Sequence, residues 1–367
     1  MSELTHQHES RWPHRLAWAV VATTFPLIWV GGLVTTYEAG MAVPDWPNTY
    51  GYNLFLYPWQ TWLVGPWDLF IEHGHRLLGA TVGFLTIGLA VSLWFGKLDG
   101  IPRWLGWVAL AAVIGQGALG GMRVLFDERQ LAKIHACTGP AFFALAVGLL
   151  VATARSWRSG VVRTPHRSAS SLQSSATMVA LLSYLQLVLG AQLRHISVTA
   201  TPGVFRTFLV FHLAVAGLLL VMAILLAGRS WLQFRAFPKL CWLATGLLAA
   251  IACQLALGSG TWLVNYAWPW PSVAPAWLAA YTIVAHGQLQ SLVTTGHVAL
   301  GSLIVGTSVA LALWSWRLVS MPVEQSADRN TPALVIVRPE AQDRRMDHAE
   351  LVGLALATAG RASVAPA

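Results

Sequence analysis

Long apolar stretches separated by polar breaks set the pattern of this chain. Eight of them, at about 17–35, 77–96, 104–122, 134–154, 176–193, 207–228, 240–264 and 289–316, are long enough for a helix to cross a bilayer core. The pattern predicts an all-α integral membrane protein with eight transmembrane helices. An even number puts both termini on one side, and the cationic residues orient the bundle. Arg11, Arg15, Lys97, Arg103, Arg155, Arg158, Arg163, Arg167, Arg229, Arg235, Lys239 and Arg317 fall on the termini's face, whereas the other face carries about half as many. Both termini are therefore expected in the cytoplasm of a multi-pass cell (inner) membrane protein, with the first apolar run retained as a helix. Two connections on the outer side, 37–71 and 265–288, hold no Lys or Arg and are rich in Trp and Pro, which suits the headgroup layer.

Aligning the runs exposes a repeat. The third, fifth and seventh carry Gln-x-x-Leu-Gly, at 116–120, 186–190 and 254–258, and the first has Trp29-Val30-Gly31-Gly32 at the matching depth. Small residues there permit close approach of a backbone or a flat ligand. The simplest organisation is two pseudo-symmetric four-helix bundles, 17–154 and 176–317. They are joined by a cytoplasmic linker, 155–175, preceded by a short segment, 1–16, and followed by a flexible tail, 318–367, to which no fold is assigned.

Composition narrows the class. Of 367 residues 56% are apolar and 10% charged, and mean hydropathy is +0.57, which excludes an ordinary soluble globule. The net charge of +8 lies between apolar runs, where it orients a membrane protein and gives no reason to expect nucleic acid. Three cysteines, Cys137, Cys241 and Cys253, lie in apolar runs without a Cys-x-x-Cys pattern and read as small buried hydrophobes. There is no P-loop, no dinucleotide-binding fingerprint, no His-Glu-x-x-His and no Asp-rich prenyl-diphosphate motif.

Histidine is expensive inside a membrane, yet His75, His135, His212 and His297 all stand near the outer ends of even-numbered runs, two per half. A lone intramembrane histidine reads best as a hydrogen-bonded core residue. Four in repeat register favour two imidazole pairs, each able to ligate a heme iron axially, over zinc or copper sites. Glu72 precedes His75 by three residues and shares its helix face. It suits proton transfer or stabilisation of positive charge beside a macrocycle, or equally a salt bridge to Arg76 or a helix N-terminal charge. Arg76 suits a heme propionate or an interfacial position. His73, His195 and His286 read as solvated or interfacial, and His6, His8, His14 and His166 as cytoplasmic.

These residues resemble the heme A synthase family over about residues 15–317. The resemblance rests on Gly31-Gly-Leu-Val-Thr-Thr, the stretch from Gly40 through Pro44-Asp45-Trp46-Pro47 to Gly51, Glu72-His-Gly-His-Arg76, Ile134-His135, the repeated Gln-x-x-Leu-Gly, and His212 and His297. It implies oxidation of a ring methyl of heme O to the formyl group of heme A for terminal oxidases. It further implies that His75 and His135 face the substrate heme, that His212 and His297 hold a resident heme b, and that Glu72 assists at the reacting carbon. Implied partners are heme O and heme A, the lipid bilayer, the heme O synthase and terminal-oxidase assembly factors; a homo-oligomer is also allowed. Some family members carry a cysteine pair in the first outer loop, and this chain has none there. On the residues alone, a diheme electron-transfer cytochrome and a heme-binding assembly or transport protein are the competing readings.

Overall fold

A computed structural model describes residues 10–96, 100–159, 163–197 and 199–322. His6, His8 and the segment 323–367 lie outside the described residues. In hydrocarbon a backbone amide has no water to bond, so each apolar run must satisfy its polar groups internally. Eight helices do so: α1 (Trp12–Thr36), α2 (Trp67–Phe95), α3 (Ile101–Leu125), α4 (Arg129–Thr153), α5 (Ala169–Arg194), α6 (Pro202–Gln233), α7 (Pro238–Tyr266) and α8 (Gln288–Leu318). All are long and apolar enough to cross a membrane. Four begin with proline in the first turn, Pro13, Pro102, Pro202 and Pro238, where its missing N–H leaves no bond unmade.

Consecutive helices pack as neighbours. In addition α1 closes on α4, and α5 closes on α8. Buried apolar side chains gather accordingly. One cluster draws on α1 to α4, with Val20, Leu89 and Phe142 among its members. A larger one draws on α5 to α8 together with Val151 of α4, and includes Leu172, Leu226, Leu247 and Leu311. The seam between them is formed by α8 against α1 and α4, and by α4 against α5. Small residues make that seam tight: a β-carbon at Gly306 of α8 would stand 2.9 Å from the Phe143 ring of α4.

Three features depart from the sequence reading. Helix α2 begins at Trp67, well before the apolar run at 77, so Glu72, His73, His75 and Arg76 all sit within a helix. Cys253 is exposed on the helix surface, whereas Cys241 is buried and Cys137 half-buried. Residues 319–320, placed in the tail, pair in parallel with Thr164–Pro165 of the linker, and Gln173 donates to the Val319 carbonyl at 3.0 Å.

Candidate functional site

The end of the bundle opposite the described termini, called distal here, carries the connections 37–66 and 267–287. Each of the four intramembrane histidines lies in the distal part of an even-numbered helix, and each is packed on a glycine of the helix before it. A β-carbon at Gly31 would stand 2.8 Å from His75 Cε1; the matching distances are 3.2 Å for Gly120 and His135, 3.3 Å for Gly190 and His212, and 3.0 Å for Gly258 and His297. The repeated glycines thus make room for imidazoles. Each imidazole also interacts with the backbone of the residue four before its glycine, Leu27, Gln116, Gln186 or Gln254. No Nδ1 closes a hydrogen bond of normal geometry, and all four are buried.

The glutamine of the pentapeptide has its own task. Gln254 Nε2 donates to the His297 carbonyl at 2.9 Å, and Gln116 Nε2 reaches the His135 carbonyl at 3.5 Å while bonding Thr138 at 2.6 Å. Gln116 and Gln254 thus tie their own helices to the backbone of the helix that carries the histidine. The sequence signalled the pattern but not the contact.

Across each half two histidines face one another. The ring centroids of His75 and His135 are 6.3 Å apart with planes at 81°, and those of His212 and His297 are 6.3 Å apart at 67°. A metal–imidazole bond is about 2 Å, and a ring centre lies about 1 Å beyond its nitrogen, so two imidazoles trans to one metal atom hold centroids roughly 6 Å apart. The spacing and the glycine cradles would fit a heme iron held between the two imidazoles of each half. Among the described residues no group of three or more His, Cys, Asp or Glu side chains is placed to hold a metal ion.

The first pair lies beside an ion pair that ties down the loop after α1. Glu72, 1% exposed, accepts from the Val43 amide at 2.9 Å through Oε2 and from Arg76 Nη2 at 2.8 Å through Oε1. Arg76 in turn donates to the carbonyls of Val43, Asp45 and Asn48 at 2.7, 2.6 and 2.9 Å. The loop is stitched further by Asp45, whose carboxylate accepts from the amides of Tyr50 and Gly51 at 2.8 and 2.7 Å. Burial works against that charge, but those amides and nearby Arg76 hold the Asp45 carboxyl below its ordinary value. The Trp46 indole lies flat against Gly121 of α3, and the Arg123 guanidinium lies against Gly40, so neither glycine has room for a side chain.

Two histidines differ from expectation. His73 is buried, not solvated: its ring bonds Thr49 at 3.0 Å and meets Tyr57 and Trp62. His195 is half-buried in a cavity of about 490 Å³ lined by residues such as Glu128, Lys133 and Gln192, where burial and Arg194 push it down to about 4. His286 stacks on Tyr37 at 6.2 Å in the distal connections, in keeping with an interfacial place.

Comparison with known proteins covers part of the chain. Residues 67–206 match a family described as cytochrome oxidase assembly protein. A protein named heme A synthase, from Shouchella clausii (strain KSM-K16), is 29% identical over 178 residues, which is 46% of this chain and 54% of that protein. The aligned region thus spans about half of the relative. The two matches are likenesses over part of the chain, one to a family described as cytochrome oxidase assembly protein and one to a protein named heme A synthase.

Proposed function

We propose that the chain oxidises a ring methyl of heme O to the formyl group of heme A, in the service of cytochrome oxidase assembly. One observation carries the reading: two histidine pairs of the same 6.3 Å spacing, of which only His75 and His135 lie beside a loop tied down by Glu72 and Arg76. Two sites alike in ligands but unlike in cover suit a reacting heme in the N-terminal half and a resident heme b in the C-terminal half. On this reading the two halves are pseudo-symmetric four-helix bundles, 17–154 and 176–317. The distal end faces outward, with both termini in the cytoplasm of the cell membrane.

When bound, heme supplies the redox chemistry, and the protein supplies binding and electrostatics. His75, His135, His212 and His297 would hold and orient the macrocycles through Nε2, the Nδ1 side of each ring being packed against the preceding helix. Glu72, bonded by an amide and a guanidinium, is oriented to stabilise positive charge developing near the N-terminal site. The loop held by Arg76 excludes water from that side. Arg76 directs its donors at three loop carbonyls and at Glu72, so its role is to hold the cover closed.

The test is mass-resolved analysis of hemes extracted from membranes that make heme O, with no added protein, with this protein and with its Glu72→Gln form. Heme A is expected with the intact chain and reduced at least tenfold with Glu72→Gln. Unchanged heme O alongside a stoichiometric copurifying heme would favour an electron-transfer cytochrome instead.

A further inference from the structure

Each half places an arginine one turn distal to a glycine that touches a histidine. In α3 the pair is Gly120 and Arg123, three residues apart; in α5 it is Gly190 and Arg194, four apart. Those spacings put each arginine on the same helix face as the glycine, one turn nearer the distal end. Arg194 Nη2 donates to the Gly32 carbonyl at 3.0 Å and to Thr36 Oγ1 at 2.6 Å, both neutral oxygens of α1. Thr36 is bonded at 3.3 Å to Thr295, two residues before His297. Arg123 rests on Gly40 and acts electrostatically on His75 and His135. Its acidic neighbour, Glu72, already accepts from Val43 and Arg76.

A cation at membrane depth calls for an anion, yet the one ion pair among the described residues joins Arg76 to Glu72. We propose that Arg123 and Arg194 are carboxylate seats, one per half, each pairing with an acid group on the edge of the macrocycle held by the adjacent histidines. A guanidinium suits this because its planar fork meets a carboxylate with two parallel bonds. The distal placement sets the macrocycle's direction: acid edge toward the connections, apolar edge toward the middle of the membrane. Arg194 adds a second role, because its bonds to α1 lock the acid edge of the C-terminal site to the wall of the N-terminal one.

The inference rests on the two-heme reading, and its test separates the two. Full-length protein from heme-deficient cells is titrated with heme b or with its dimethyl ester, and paired-imidazole absorption bands report occupancy. His75→Ala isolates the C-terminal pair, and His297→Ala the N-terminal one. Each single-site protein is expected to prefer the diacid by at least about tenfold, the lower end of what a hydrogen bond to a charged group contributes. Arg194→Gln should abolish the preference in the first protein and Arg123→Gln in the second, while Arg194→Lys keeps part of it. Bands with both ligands but no preference overturn the carboxylate seats alone, and this ratio needs no arginine variant to fold. Preference at the N-terminal pair that survives Arg123→Gln but is lost in Arg76→Gln also overturns them. Absence of bands in the unmodified protein overturns the two-heme reading and the seats together.

Discussion

A β-carbon added at Gly258 would stand 3.0 Å from His297 Cε1, whereas one added at Gly217 or Gly246 meets nothing within 4 Å. Helix propensity treats the three alike, so any difference among their alanine variants belongs to the imidazole. Gly258→Val is expected to remove most of the resident-heme absorption per mole of purified protein, Gly258→Ala to weaken it, and Gly217→Ala to leave it intact. Equal heme content in all three would show that the glycine does not seat the ligand. Asp45 makes a different prediction. Its carboxyl lies below the ordinary 3.8, so its contribution to holding the loop is complete above that value and is lost as pH falls through the lowered one. Asp45→Asn should therefore lower thermal stability at neutral pH, and the gap from the parent protein should close only in the acid range below 3.8. A gap unchanged at acid pH would rule out the charge as its source.

At the scale of elements, the helices were legible because a run of apolar residues can satisfy its backbone in hydrocarbon in only this way. The start of α2 was not. The apolar run stops short of Glu72-His73-Gly74-His75-Arg76, and nothing in their residue types says that Val43, Asp45, Asn48 and Thr49 would come back to bond them. The same long-range pairing explains His73: by residue type it reads as solvated, yet Thr49 and two aromatic rings enclose it. The four candidate ligands were visible because their register repeats, and register survives where partners cannot be read. Arg76 supplies a test of the stitched loop. Arg76→Gln removes charge-assisted bonds to three carbonyls, each worth about 1.5–3 kcal/mol. Protease cleavage within 42–57, which follows the population of the opened loop, should accelerate at least tenfold. Heme at the C-terminal pair should be retained. An unchanged cleavage rate would mean that the loop is held by its packing, with Trp46 on Gly121 the main contact.

The whole molecule sets two similar ligand pairs in unlike surroundings. Glu72 stands three residues before His75, and its counterpart three residues before His212 is Leu209, which has no charge to tie down a loop. On the proposed function, similar histidine pairs with dissimilar neighbours imply a division of labour, because ligand identity sets the chemistry available while charge and water exclusion select where it proceeds. Histidine variants can separate the two tasks. His212→Ala and His297→Ala are expected to lose copurified heme. His75→Ala and His135→Ala should keep it but form at least a hundredfold less heme A from heme O. The seam makes the division incomplete: Arg194 and Thr36 join α5 to α1, and Thr36 bonds Thr295 of α8. Emptying the C-terminal site should therefore loosen α1, and His297→Ala should also weaken heme uptake at His75 and His135, though less than loss of either histidine does. Uniform loss of copurified heme in all four variants would contradict the division. Full heme A formation by His75→Ala would move the reaction to the other half, under a connection that no arginine binds among the described residues.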